Sequence, residues 1–123
     1  MKKVLAIEDE LYMLKLYQET LGRSVFEVFT ASTWKNGRKI LESEEIDLLI
    51  LDIGLPEKDG IEILKELRDF GYIIPVIIVT AYGTKEKIIQ ASEYDISDFV
   101  VKPFKVPTLR EKIYGILEIE PDK

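Results

Sequence analysis

Five polar side chains stand where apolar runs of this sequence stop. Leu48-Leu49-Ile50-Leu51 is followed by Asp52, and Lys3 to Ile7 by Glu8 and Asp9. Val76 to Val79 runs into Thr80, and Phe99-Val100-Val101 into Lys102. Four consecutive aliphatics read as a strand buried on both faces, the interior of a parallel sheet. Each polar residue is then offered at a strand's carboxyl end. Singly, each has a plainer use. Asp52 could cap the helix that follows, and Glu8 and Asp9 could open one, where acids favour the helix dipole. Thr80 could be an ordinary strand end, and Lys102-Pro103 a turn. Together, three acids, a hydroxyl and a lysine on one rim point to a site. Gathered carboxylates repel by roughly 4 kcal/mol per pair at ~4 Å in an effective dielectric of about 20, and one lysine does not offset that. A hard divalent cation with oxygen ligands does. The chain has no histidine and no cysteine, so disulfides, thiolate metal sites and cysteine nucleophiles are excluded. Any imidazole must come from a partner. A carboxylate, by contrast, is ionised at neutral pH and can act as a nucleophile without a general base.

Strands and helices must alternate to present such a rim. The periodicity predicts strands at Lys3 to Ile7, Phe26 to Phe29, Ile46 to Leu51, Val76 to Val79 and Phe99 to Val101. Between them, Leu11, Leu14, Tyr17 (or Gln18) and Leu21 keep roughly helical spacing, with Gly22 as a stop. Ser32 or Thr33 would cap a helix to about Ser43 whose apolar stripe Gly37 and Arg38 weaken. Ile61, Leu64, Leu67 and Arg68 define a clear amphipathic helix ending at Gly71. Thr84 would cap a fourth helix through about Glu93, and Thr108 to Leu117 is the last. Trp34 reads as partial core or surface, and Asp59 as a turn or cap residue. Alternating strands and helices imply right-handed βαβ crossovers around a parallel sheet covered on both faces. If the strand order is 2-1-3-4-5, the switch point lies between strands one and three, where Glu8, Asp9 and Asp52 stand.

The bulk properties agree with one ordinary domain. The chain's 123 residues, 46% hydrophobic and 33% charged, suffice for a proper core. A net charge of −6 argues against a nucleic-acid-binding surface. No apolar run approaches a membrane span, and the start is too short for a signal peptide. The expectation is a cytoplasmic protein without membrane or direct nucleic-acid contact, folding as one domain over residues 1–123, with 118–123 a tail or the start of a linker.

The ordered motifs resemble the receiver domain of two-component response regulators, in the manner of single-domain chemotaxis and sporulation-relay regulators. They are Ile7-Glu8-Asp9-Glu10, Asp52-Ile53-Gly54-Leu55-Pro56 with Asp59-Gly60, Pro75-Val76 through Val79-Thr80-Ala81, and Phe99 followed by Lys102-Pro103-Phe104. The resemblance covers essentially the whole chain. It implies a flavodoxin-like (βα)5 doubly wound sandwich with a five-stranded parallel sheet in order 2-1-3-4-5. It also implies that Asp52 accepts the phosphoryl group and that Glu8, Asp9, Asp52 and the Gly54 carbonyl serve Mg²⁺, with Mn²⁺ as a substitute. Thr80 then matches the switch hydroxyl, Lys102 the phosphate-binding lysine, and Phe99 the aromatic that changes rotamer. Gly54 and Tyr82 match the positions that tune dephosphorylation. A cis peptide at Lys102-Pro103 is implied as well.

The resemblance further implies partners: a histidine kinase or histidine phosphotransfer protein as donor, and a downstream protein or output domain met through helix four, strand five and helix five. A phosphorylation-dependent dimer is compatible with it. The chain would assist its own phosphorylation and dephosphorylation without being an enzyme in the ordinary sense. A stand-alone relay or motility-type regulator is favoured over an excised domain, since no DNA-binding segment follows. Two departures stand out. Asp95-Ile96 replaces the frequent Gly-Ala before strand five, and Gly37-Arg38 replaces an apolar pair in helix two, which puts the packing of helices two and four in question. Three other readings fit less well. A flavin binder needs donors in its first loop, not Glu8-Asp9-Glu10; an aspartyl phosphatase usually carries an acid where Gly54 stands; a degenerate receiver serving only as an interaction module should lack acceptor-site residues.

Overall fold

A computed structural model describes residues 1–21, 25–81 and 85–120. Its elements alternate as β1 (Lys2–Ile7), α1 (Leu11–Leu21), β2 (Phe26–Ala31), α2 (Trp34–Ser43), β3 (Leu48–Asp52), α3 (Gly60–Asp69), β4 (Val76–Thr80), α4 (Lys85–Ser92), β5 (Asp98–Val101) and α5 (Val106–Ile116). The five strands form one sheet in the order β2-β1-β3-β4-β5, every pair parallel. This is the flavodoxin-like (βα)5 architecture, and its strand order reverses at β1, as the sequence leads one to expect.

The period of two along each strand divides the core into two layers. Leu5, Ile7, Leu49, Leu51, Val76 and Ile78 pack with Trp34 and Leu41 of α2, Ile63, Leu64 and Leu67 of α3, and Ala91 of α4. Their neighbours Val4, Ala6, Leu48, Ile50, Ile77, Val79 and Val100 face Met13, Tyr17 and Leu21 of α1 and Leu109 and Ile113 of α5. Burial on both faces is why β3 and β4 are continuous aliphatic runs.

Element ends depart from the sequence expectation where local chemistry decides them. β3 begins at Leu48, two residues late, and continues through Asp52. α5 begins at Val106, because Pro107 lacks only an N–H that the first helical turn leaves unpaired anyway. Thr33, not Ser32, caps α2: its hydroxyl accepts the Asn36 N–H at 3.1 Å. The expected stop at Gly22 and cap at Thr84 lie outside the described residues.

Both sequence departures have structural explanations. A Cβ on Gly37 would sit 2.4 Å from Ile7 Cδ1, so the glycine is what lets α2 lie close on β1. Arg38 finds an aromatic partner, its guanidinium carbon 4.6 Å from the Phe70 ring centroid. Asp95 takes a left-handed conformation, φ 59°, and its carbonyl accepts Arg68 at 3.1 Å. That guanidinium also reaches the carbonyls of Tyr94, Tyr72 and Ile74 at 2.8, 3.0 and 2.9 Å. Arg68 thus ties the end of α4 to the end of α3 and to the strand entry that follows.

Asp59 caps α3 through its carboxylate, which accepts the Ile61 N–H at 2.9 Å. A Cβ on Gly60 would lie 2.4 Å from the Ile53 Cα, against backbone just beyond Asp52, whereas one on Gly115 in α5 meets nothing within 4 Å. Gly60→Ala should therefore cost about 1–3 kcal/mol by overpacking, while Gly115→Ala should stabilise by about 0.5–1 kcal/mol through helix propensity. Urea unfolding of the two variants beside the parent chain measures both signs.

Candidate acceptor and metal site

The register carries the polar residues to one rim. Ile7 pairs with Leu51, Asp52 with Val79, and Thr80 with Val101, so the ends of β1, β3, β4 and β5 lie side by side. Asp52 is the last residue of β3, and its Oδ1 accepts the Gly54 N–H at 2.8 Å. Glu8 follows β1 directly, its backbone N–H held by the Ala31 carbonyl at 3.0 Å. Thr80, fully buried, ends β4, and its carbonyl accepts the Lys102 N–H at 2.8 Å. That bond fixes the backbone from which the lysine side chain reaches back across the sheet.

Lys102 Nζ ends among three carboxylates: Glu8 Oε1 at 2.5 Å, Asp52 Oδ2 at 3.0 Å and Glu10 Oε1 at 3.1 Å. The side chains of Lys102, Glu8 and Asp52 are 11%, 1% and 9% exposed, that of Glu10 44%. Burial pushes the Glu8 carboxyl up to about 7; the Lys102 hydrogen bond pulls it down, and the hydrogen bond and charge of Asp52 push it up again. Burial alone would lower the Lys102 ammonium, yet its hydrogen bonds to Glu8, Asp52 and Glu10 win and hold it above its usual range. An ion pair by itself would lower the acid. That Glu8 rises instead means one ammonium does not compensate the desolvated carboxylates around it.

The structure therefore brings Glu8, Asp52 and Lys102 into direct contact and sets Thr80 beside them at the end of the neighbouring strand. Asp9 is exposed, with no ion pair among the described residues, and Glu10 completes the carboxylate group in its stead. The sequence reading passed over Glu10 because a turn after a strand follows no side-chain period; its signal was only adjacency to two other acids. Gly54 is exposed on the loop after β3. Phe99 is 37% exposed on β5, with Val101 also exposed on that strand. The Lys102-Pro103 peptide is cis. Tyr82 lies outside the described residues.

A metal ion fits this donor set. One oxygen each from Glu8, Glu10 and Asp52 lie within 4.8 Å of one another. Hard carboxylate oxygens in excess over a single cation are the chemistry that Mg²⁺ and Mn²⁺ select.

Comparison with known proteins agrees with the fold. Residues 4–114 match the family model of the response regulator receiver domain. The chain belongs to that family, the phospho-accepting signalling domains of two-component systems. It is 30% identical over 119 residues to sporulation initiation phosphotransferase F of Bacillus subtilis, covering 97% of this chain and 96% of that protein. It is 34% identical over 116 residues to the alkaline phosphatase synthesis transcriptional regulatory protein PhoP of the same organism, covering 94% of this chain but 48% of PhoP. The chain spans about half the length of several curated relatives it matches. The CheY-like receiver domain protein of Methanospirillum hungatei superposes with a TM-score of 0.90 at 27% identity, covering 96% of this chain and 94% of that one. Receiver domains generally bind Mg²⁺ at an acidic pocket, and response regulators work with histidine kinases or phosphotransfer proteins and with output domains. No helix among the described residues is long and apolar enough to cross a membrane.

The Glu8 shift has a sign that can be measured. Its carboxyl binds a proton more tightly folded, at about 7, than the ordinary 4.5. The folded chain then holds the extra proton between those values, and stability falls as pH rises through them. Lys102 does not oppose this: a raised ammonium contributes stability that is lost only above its ordinary range. In metal-free buffer the melting temperature should fall from about pH 5 to about pH 8, and more steeply than in Glu8→Gln, as read by calorimetry.

Proposed function

We propose that this chain is a phosphorylatable receiver, with Asp52 taking a phosphoryl group from a partner's phosphohistidine. The observation that carries the reading is the Asp52 carboxylate at a strand end, held between the Gly54 N–H and the Lys102 ammonium, with buried Glu8 on the same lysine. An Asp52 oxygen attacks phosphorus; the new P–O bond forms as the P–N bond breaks, and the imidazole leaves with the electron pair. No base is needed, since the attacking carboxylate is already ionised. Catalysis is then a matter of position and charge.

Glu8, Asp9, Asp52 and the Gly54 carbonyl would hold Mg²⁺ or Mn²⁺. Asp9 is exposed and in no ion pair among the described residues, so its carboxylate is open to a cation. A bound divalent cation neutralises charge on the transferring group. Lys102, a compact point charge, and Thr80, a hydroxyl donor, take the remaining phosphoryl oxygens. Thr80 drawn towards the phosphoryl group vacates space that the Phe99 ring can take, altering the face of α4, β5 and α5 that meets a downstream protein or output domain, or a second phosphorylated copy. This is a two-state element biased by local charge. The protein works in the cytoplasm, without contacting nucleic acid or membrane through this domain. Gly54 has no side chain with which to shield the acyl phosphate from water.

Incubation with phosphoramidate and Mg²⁺ should add one phosphoryl group by intact mass. Equal labelling of Asp52→Asn, or full labelling in excess chelator, contradicts the assignment. Lys102→Ala and Thr80→Ala should each lose most of the phosphorylation-induced change in amide spectra across α4 to α5. A wild-type response in either rules out the switch as described.

A further inference from the structure

The outward face of α2 carries a charge pattern that its own helix disfavours. Lys35 stands in the first turn, which holds no acidic residue, although acids are favoured at that end of the dipole. Arg38 and Lys39 follow at spacings of three and four, where like charges repel across one helix face. Lys35 and Lys39 are exposed and enter no ion pair among the described residues. Acids are plentiful in a chain of net charge −6, yet those nearby are engaged otherwise. Glu57 accepts the Trp34 backbone N–H, Glu66 pairs with Lys58, and Glu42 lies 3.8 Å from Arg38. The lysines are therefore left open to a ligand that brings negative charge.

A concave surface lies between these cations. A cleft of about 410 Å³ has Lys35, Arg38, Lys39 and Lys58 on its walls, together with Trp34. Trp34 and Arg38 also line a groove of about 200 Å³ that runs on to Leu41, Phe70 and Tyr72. Phe70, and Ile73 next to Tyr72, are 54% and 92% exposed. Exposed apolar surface rimmed by charge marks an interaction site. We propose that this face docks an acidic peptide segment of a protein partner, its carboxylates on Lys35 and Lys39 and an apolar side chain in the groove between Trp34 and Phe70. Charge complementarity selects the carboxylates, and the groove selects a peptide over a free anion, which has nothing to place there. The surface is separate from α4, β5 and α5, and the proposal asks nothing of Asp52.

The test uses the full chain, unphosphorylated and without added metal, so its outcome is independent of the phospho-acceptor reading. Trp34 is the one tryptophan in the chain, and its emission reports the cleft. The probe is a synthetic peptide of alternating aspartates and glutamates ending in two leucines. Titration should give a saturable change in emission that weakens severalfold between low and high salt. Lys35→Glu/Lys39→Glu should weaken binding by about tenfold, through several screened charge pairs changing sign, with no loss in melting temperature. Lys2→Glu/Lys15→Glu makes the same change in net charge at exposed lysines outside the cleft, and should bind like the parent chain. A peptide with serines in place of the leucines should bind more weakly. No saturable change in the parent chain overturns the proposal, as does equal weakening in both double variants, which would report net charge alone. Equal binding of the serine peptide overturns it too, since the groove would then be empty. A parent dimer in sedimentation that Lys35→Glu/Lys39→Glu disperses would place a second copy on this face instead.

Discussion

One ammonium shared among three carboxylates is the constraint on which the rest of this structure depends. Lys102 reaches Glu8, Glu10 and Asp52 only because the ends of β1, β3 and β5 converge on one rim. A slip of one residue in any of those strands would turn its side chains to the other face, and the cluster would not form. For β1 and β3 the register is held by the two core layers, since both strands are buried on both sides. Packing therefore specifies the site indirectly. The apolar layers fix where strands end, and the ends carry the charge.

The cluster is also poised. Glu8 sits above its usual range despite a lysine within hydrogen-bonding distance, so the resting site holds negative charge that its own cation does not match. A group that brings positive charge, or that recruits the lysine elsewhere, shifts this balance. The elements that would register such a shift are lightly held. α4 buries only Ala91 among its described residues and is tied at its far end by Arg68 to the Tyr94 and Asp95 carbonyls. β5 is the sheet's outer strand beside β4, with Phe99 and Val101 exposed.

Much of this was legible in the sequence because parallel strands announce themselves. A run such as Leu48 to Leu51 has few other uses, and a polar residue after each run gave the rim. The turn after β1 was less legible. Glu8, Asp9 and Glu10 are three adjacent acids, and which of them faces the site depends on how the chain bends between strand and helix, which carries no hydrophobic period. Arg68 was visible on the apolar stripe of α3, but not its role, since the distant Tyr94 and Asp95 carbonyls meet it only once the chain is folded. Trp34 looked ambiguous for a similar reason: its burial depends on the close approach of α2 that Gly37 permits. Its backbone N–H, at the start of α2, donates to Glu57 Oε1 on the loop after β3 at 3.0 Å, likewise a contact visible only in the fold.

The central claim is that this cluster carries more negative charge than Lys102 neutralises and is completed by a divalent cation. Calorimetric titration of Mg²⁺ near pH 7, in two buffers of different ionisation heat, tests it most directly. The account predicts saturable one-to-one binding with proton release, because the cation drives the Glu8 proton off, and tighter binding once Lys102→Ala removes the competing charge. Saturable binding that persists undiminished in Asp52→Asn, or no saturable heat at millimolar Mg²⁺ in the parent chain, would contradict it.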